Sequence, residues 1–180
     1  NDAENAIVTY LYDNKNDVTI LDNALSEIEA KRAKTDWEIH TKSLNYDAID
    51  SFYDIAEQLD FTKYRIEKNA KSESVSLLIE GVQISVRPEI LIYKEKGDDK
   101  SIGAAKVYFS KTYNLNDEAG EYIASFVMEY LKQMKQDYTV NNKICNVIDV
   151  FNQKIFTAPL SYKRRMLDIM LNDATIIIKA

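Results

Sequence analysis

Residues 81–112 read GVQISVRPEILIYKEKGDDKSIGAAKVYFSKT and contain the strongest structural signal of this chain. Apolar and polar residues alternate on both sides of a charged turn, which predicts two antiparallel strands joined as a hairpin. Gly97-Asp98 is a favoured two-residue hairpin loop, because glycine accepts the positive φ of the first loop position. This loop pairs Lys96 with Asp99 and thereby sets the register of both strands.

The register places Glu89 opposite Lys106 and Arg87 opposite Tyr108. Because alternate side chains of a strand share a face, a polar patch is expected on one side of the sheet. The patch would consist of Ser85, Arg87, Glu89 and Lys106. A loop longer by one residue would turn the second strand over and separate these side chains. The facing acid and base fit two interpretations: a metal-dependent phosphodiesterase site, or a cross-strand ion pair worth ~0.2–1 kcal/mol.

Apolar residues at helical spacing predict three helices outside the hairpin. These helices cover residues 17–28, 45–59 and 116–134, with Asp17, Asn45 and Asn116 as their N-caps. The segment 31–38 is charged and is expected to be solvated, apart from Trp37. Residues 5–12 fit either a short helix or a strand.

Strand-like alternation occurs on both sides of the hairpin as well as within it. The strand-like runs are 62–69, 73–80, 82–94, 102–110, 144–151 and 154–158, and Pro159 introduces a final helix. The order is therefore helix, strands, helix, strand, helix. It predicts an α+β (mixed α/β) fold in one domain over residues 1–180. A central, mostly antiparallel sheet of about five strands should have helices packed on it.

The composition argues against several function classes. The formal net charge of −6 disfavours a dedicated nucleic-acid-binding module, whose affinity comes mainly from neutralising phosphates. No apolar run approaches the ~20 residues that a membrane span needs. Cys145 is the sole cysteine and lies in an apolar run, which indicates a buried, inert thiol in a reducing, cytoplasmic compartment. His40 is the sole histidine, which argues against a histidine-based metal site or catalytic triad.

One basic run stands out in this acidic chain, Lys163-Arg164-Arg165. It falls in the first turns of the predicted final helix, where phosphate groups are easily bound. These residues are candidate nucleic-acid contacts, and a solvated helix face is the alternative interpretation. His40 is open in the same way, as a general base or as a surface side chain. We expect a protein partner, with nucleic acid disfavoured by the net charge and no membrane partner.

The order helix, hairpin with a Pro-acidic step, strand ending in lysine, helix and strand resembles the core of the PD-(D/E)XK restriction-endonuclease-like superfamily. The resemblance covers roughly residues 45–151. Pro88-Glu89 is similar to the Pro-Asp step of that superfamily, and Lys106 or Lys111 matches its lysine. The resemblance implies a Mg²⁺ ion that activates water and stabilises charge on a DNA phosphate. The segments RPE and GAAKVYFSK also resemble a group of uncharacterised bacterial proteins, which implies no activity.

The chain departs from the superfamily pattern at the second metal ligand. The carboxylate expected two residues before the lysine is replaced by Ala104 before Lys106, and by Phe109 before Lys111. An active site would then need Asp54 or Glu57 from the preceding helix.

Two hypotheses follow from this departure. The first is a non-catalytic binding or accessory domain with a nuclease-like core and no cofactor, which should expose an apolar or aromatic patch. The alternative is a Mg²⁺-dependent nuclease acting on DNA. Its catalytic residues would be Glu89, Lys106 and Lys111, and its metal ligands Glu89, Asp54 and Glu57.

Overall fold

The computed structural model describes residues 2–13, 15–69, 75–79, 82–96 and 99–160. Within them the chain forms four helices and seven strands. The helices are α1 (Asp2–Asp13), α2 (Thr19–Ala30), α3 (Asp36–Ala56) and α4 (Asp117–Met134). The strands are β1 (Arg65–Lys68), β2 (Val75–Ile79), β3 (Val82–Val86), β4 (Ile90–Lys96), β5 (Asp99–Tyr108), β6 (Thr139–Asp149) and β7 (Lys154–Thr157).

Five of these strands form one mixed sheet in the order β1-β4-β5-β6-β7. The pairs β1–β4, β4–β5 and β6–β7 are antiparallel, whereas β5 and β6 are parallel and are connected through α4. A parallel pair needs such a crossover, because a tight turn cannot bring the chain back to the same end of the sheet. The predicted α+β fold with a mostly antiparallel sheet of about five strands is confirmed.

The sheet has a hydrophobic core on each face. Ile90 and Ile92 of β4 pack with residues of α1, α2 and α3, whereas Leu91 and Tyr93 pack with residues of α4. This division follows from the pleat, since successive strand side chains point to opposite faces. The α4 side also includes the separate two-stranded sheet of β2 and β3, through Leu77 and Val86.

The predicted hairpin register is confirmed. Lys96 pairs with Asp99, and the pairing continues without a shift to Ile90 and Ala105. The predicted continuous strand 82–94 is wrong, because the chain leaves β3 after Val86 and enters β4 only at Ile90. Pro88 lies in this break, and proline has no N–H to donate to a ladder.

The strand break also divides the predicted polar patch. Ser85 pairs with Ser76 in the β2–β3 sheet, and Arg87 lies between the two sheets rather than opposite Tyr108. Glu89 and Lys106 remain together, so two of the four predicted patch residues meet. A continuous strand would also place Val86 and Ile90 on one face, whereas in the structure the two belong to different cores.

Helix α3 begins nine residues earlier than the sequence prediction, at Asp36. The Thr35 side chain accepts a hydrogen bond from the Glu38 N–H, and the Glu38 carboxylate accepts one from the Thr35 N–H. In this capping box each side chain accepts a hydrogen bond from the backbone N–H of the other residue, so two N–H groups at the start of the helix have acceptors. Asn45 is therefore inside the helix, and its prediction as N-cap is wrong. Trp37, expected to be shielded, is 74% exposed.

The two other predicted N-caps lie at, or one residue from, the observed N-cap positions. Asn116 caps α4 by accepting a hydrogen bond from the Ala119 N–H. The Asp17 carboxylate accepts from the Thr19 N–H at the start of α2, although Val18 holds the N-cap position. Residues 5–12, whose sequence fits either a helix or a strand, belong to α1. The predicted final helix lies outside the described residues, and no helix within them has the length and apolarity of a membrane span.

Candidate functional site

The predicted acid–base pair exists at the end of the β4–β5 hairpin that is remote from its turn. Lys106 Nζ lies 2.5 Å from Glu89 Oε1, and the Val107 N–H donates to Glu89 Oε2 at 2.6 Å. The Glu89 side chain is 9% exposed and the Lys106 side chain 31% exposed. Both carboxylate oxygens therefore accept hydrogen bonds from the neighbouring strand β5.

The strand break explains why Glu89 is in this place. The β4–β5 ladder ends with the pair Ile90–Ala105, so Val107 lies beyond it. The Glu89 backbone N–H still donates to the Ala105 carbonyl, which holds the residue against β5. Its carboxylate then accepts the Val107 N–H in the place where a strand carbonyl would continue the ladder. A buried N–H without an acceptor would be costly, so the carboxylate stabilises the end of the sheet.

The electrostatics of Glu89 reflect two opposing effects. Burial raises the pKa of the Glu89 carboxyl above its ordinary value, because the ionised form loses hydration. The Lys106 charge and the hydrogen bonds from Lys106 and Val107 lower the pKa, while the negative charge of Glu4 raises it slightly. The burial effect is larger than the combined effect of the donors.

The hydrogen bonds that Glu89 accepts leave its oxygens fewer lone pairs for a Mg²⁺ ion. Mg²⁺ takes several oxygen ligands, and both Glu89 oxygens already accept protein hydrogen bonds. Ala104 is fully buried where the superfamily pattern has a carboxylate. Across the part of the chain that the structure describes, no group of three His, Cys, Asp or Glu side chains is placed to hold a metal ion.

The two helix carboxylates proposed as extra ligands have other neighbours. Asp54 is exposed and accepts a hydrogen bond from Gln153 Nε2. Glu57 is exposed just after α3, and its charge contributes to the raised pKa of the Tyr10 hydroxyl, for which burial is the larger cause. The structure therefore does not assemble Asp54, Glu57 and Glu89 into one metal-binding group.

The two candidate lysines also lie in different surroundings. Lys106 pairs with Glu89, whereas Lys111 Nζ lies 2.7 Å from Asp47 Oδ2 and 5.9 Å from the centre of the Phe151 ring. Lys111 follows β5 in the segment that leads to α4. The third basic candidate, the run Lys163-Arg164-Arg165, lies outside the described residues.

A second site, which the sequence patterns did not indicate, is a cleft of about 510 Å³ beside Lys111. We call it the α3 cleft. It is bounded by the first half of α3, the start of α1, the segment after β5 and the turn after β6. Its lining residues are Ala3, His40, Thr41, Leu44, Asn45, Ala48, Phe109, Ser110, Lys111, Thr112 and Phe151. The spacing of Leu44 and Ala48 by one helical turn was the available sequence signal, but it indicated only a buried helix face.

The start of α3 also exposes large apolar side chains. Trp37 is 74% exposed and Ile39 is 54% exposed, and both lie within the first two turns of the helix. Helix residues usually bury such side chains against the core, so each of the two is a candidate contact for a partner. The binding hypothesis predicted an exposed aromatic or apolar patch, and Trp37 is the exposed aromatic side chain at this end of α3.

Comparisons of the chain with protein-family models, with curated proteins and with solved structures found no match. The functional interpretation therefore depends on the geometry of the Glu89–Lys106 pair, the α3 cleft and the exposed start of α3.

Proposed function

We propose that this protein is a non-catalytic binding or accessory domain with a nuclease-like core, and that its partner is a protein. One observation carries the proposal: both oxygens of Glu89 accept hydrogen bonds from β5, one from Lys106 Nζ and one from the Val107 N–H. A catalytic carboxylate must offer oxygens to a metal ion or to water. The Glu89 carboxylate instead completes a strand ladder.

The arrangement of elements supports the nuclease-like part of the proposal. Helix α3 precedes a hairpin that is entered through Pro88-Glu89, and α4 then leads to the parallel strand β6. This order is the one that the sequence resemblance implies. Ala104, fully buried two residues before Lys106, supports loss of the second metal ligand.

Two further observations support a protein partner in the cytoplasm. Trp37 and Ile39 are both exposed in the first two turns of α3, and tryptophan is among the residues that contribute most to protein interfaces. The net charge of −6 opposes binding to a polyanion. Cys145, the sole cysteine, is fully buried as a free thiol, which suits a reducing compartment.

The catalytic alternative is tested with plasmid and single-stranded DNA in the presence of Mg²⁺ or Mn²⁺. We expect no metal-dependent cleavage by the wild type, and the same result for Glu89→Gln. Cleavage that disappears in Glu89→Gln, with the circular dichroism spectrum retained, would instead establish a nuclease that uses Glu89, Lys106 and a helix carboxylate. Metal-dependent cleavage that persists in the variant and co-purifies with the protein would place an active site elsewhere in the chain and would contradict the non-catalytic role.

The binding role is tested by affinity capture with three proteins. The wild type and a control variant, Met134→Ala, should retain the same partner, because Met134 is an exposed apolar residue on a different helix. Trp37→Ala should lose that partner. If all three proteins capture the same set, the start of α3 is not the contact surface and this part of the proposal fails.

A further inference from the structure

The α3 cleft has the size of a small-molecule site. Its volume of about 510 Å³ falls within the ~300–1,000 Å³ typical of ligand pockets. Four separate parts of the chain form its walls, from α1, α3, the segment after β5 and the turn after β6. These walls are attached to the sheet and to the helices on its α1–α3 face, so the cleft is largely preformed.

Most of the cleft wall is apolar. Leu44 and Ala48 line the cleft from α3, and Phe109 and Phe151 line it from the segments that follow β5 and β6. Both phenylalanines are partly exposed while packing against the core of the α1–α3 face. Binding of a flat or branched apolar group would be favourable, because it would remove these side chains from water.

The polar groups of the cleft favour an anion. Among the described residues that line the cleft, the ionisable side chains are Lys111 and His40, and none is a carboxylate. This is unusual in a chain with a net charge of −6. The hydroxyl groups of Thr41, Ser110 and Thr112 add hydrogen-bond donors.

The partners of Asn45 and Lys111 limit the negative charge that a bound anion can carry. Asn45 uses its amide within the protein, since its Oδ1 accepts from the Ala3 N–H and its Nδ2 donates to the Thr41 carbonyl. Lys111 is 56% exposed and pairs with Asp47, which lies outside the lining set. An ammonium has three N–H donors, so Lys111 can bind an incoming anion while it contacts Asp47. Because Asp47 neutralises part of that charge, the cleft suits a monoanion better than a phosphate dianion.

We propose that the α3 cleft binds a small organic monocarboxylate with an aromatic or branched aliphatic body. The carboxylate accepts hydrogen bonds from the Lys111 ammonium. The body packs against Leu44 and Ala48 of α3 and against the rings of Phe109 and Phe151. We infer this site independently of the proposed protein partner, because none of these residues supports that proposal.

The experiment follows backbone amide signals of the ¹⁵N-labelled protein during titration with two probes of equal shape. 4-Isopropylbenzoate carries the carboxylate, and 4-isopropylbenzamide is neutral. We expect benzoate to shift the amide signals of residues 41–48 and 109–112 in a saturable way. It should bind about tenfold more tightly than the benzamide, the ratio expected of one charge-assisted hydrogen bond. No saturable shift with either probe, or equal affinities for both, would overturn the proposal.

Variants of the ion pair make the test specific for Lys111. Lys111→Met keeps the aliphatic stem and should reduce benzoate affinity to that of the benzamide. Lys154→Met is the matched control, because Lys154 is 51% exposed and pairs with Asp117 away from the cleft. It should leave both affinities unchanged, and equal effects of the two lysine variants would contradict the site.

Asp47→Asn should change the affinity for benzoate in the direction opposite to Lys111→Met. Removing the competing carboxylate should tighten benzoate binding and leave benzamide binding unchanged. If Asp47→Asn binds benzoate no more tightly than the wild type does, the role assigned to the Lys111 ammonium is wrong.

Discussion

Replacement of Glu89 by glutamine should destabilise the protein, because both oxygens of the Glu89 carboxyl group join β4 to β5 where their backbone ladder ends. This group accepts one hydrogen bond from the Lys106 ammonium and one from the Val107 N–H. Glutamine has the same shape but a single oxygen, and its NH₂ group would face one of these two donors. Glu89→Gln therefore loses one of the two hydrogen bonds and the attraction to Lys106.

The size of the effect follows from the type of hydrogen bond and from burial. Unlike a protonated carboxyl group, the glutamine NH₂ cannot accept from the donor that it faces, and a buried donor left without an acceptor costs ~1–3 kcal/mol, so Glu89→Gln should lower the free energy of unfolding by about 2 kcal/mol. Lys106→Met leaves a carboxylate that is 9% exposed without its counter-charge. Loss of one partner of a fully buried pair costs ~3–5 kcal/mol, and the partial exposure of Lys106 reduces this to about 2 kcal/mol.

The two changes should not be additive. Once Glu89 is neutral, Lys106 has little left to stabilise, so the double variant should lose about 2–3 kcal/mol rather than the sum of the single losses. The expected coupling free energy is thus ~1–2 kcal/mol, above the ~0.2–1 kcal/mol of exposed ion pairs. The sequence alone predicted the smaller value, because it could not reveal that the carboxylate is buried.

The coupling is measured by urea unfolding of the wild type, both single variants and the double variant at neutral pH, followed by circular dichroism. Equal m-values would show that the unfolded states are comparable. The pair Lys154–Asp117 serves as control, since its side chains are 51% and 84% exposed. A Glu89–Lys106 coupling no larger than that of the control would refute the structural role of the pair. A Glu89→Gln variant more stable than the wild type would also refute it, and would indicate that the charge is kept for another purpose.

Three further predictions concern single groups. Burial raises the pKa of the Glu89 carboxyl, so its contribution to stability is greatest below its unfolded pKa and falls as pH rises through the folded pKa. A ¹³C-detected carboxyl titration should find this pKa above the ordinary glutamate value and higher still in Lys106→Met; a lower pKa in the variant would contradict the assignment. Gly120→Ala should destabilise the protein by ~1–3 kcal/mol in urea unfolding, because its Cβ would lie 2.2 Å from Cγ of the buried Phe156 ring. Alanine has the better helix propensity, so a variant more stable than the wild type would contradict this packing. Burial raises the pKa of the Cys145 thiol to about 12, so a thiol reagent should react with the protein at pH 8 only after denaturant is added, and rapid reaction of the native protein would show that the thiol is accessible.

The parts of this fold that were predictable are those set by local geometry. The loop Gly97-Asp98 sufficed for the register of the hairpin, because a two-residue loop leaves one way to pair the strands. That register predicts the meeting of Glu89 and Lys106, which the structure confirms. The start of α4 was predictable from Asn116 for the same reason, since a cap and the first turn are neighbours in the chain.

Some local signals were present but were misinterpreted. Pro88 cannot donate to a ladder, and it lies where the predicted strand 82–94 breaks. The capping box of Thr35 and Glu38 is likewise a signal of two residues three apart, and the apolar stripe that begins after Asn45 obscures it. In both cases the apolar pattern is longer and more conspicuous. The proline and the capping box nevertheless decide where the strand and the helix begin or end, because they constrain backbone hydrogen bonds directly.

Spacing along the chain was sufficient for the α+β class, for the hairpin register and for the pairing of Glu89 with Lys106, because these depend on residues joined by one tight turn. Folding in three dimensions was needed for the rest. The Lys111–Asp47 pair joins residues 64 positions apart, and four distant segments form the α3 cleft. The burial that makes the Glu89–Lys106 pair structural also comes from folding, because desolvation depends on which other segments cover a side chain, and no pattern of neighbours in the sequence contains that information.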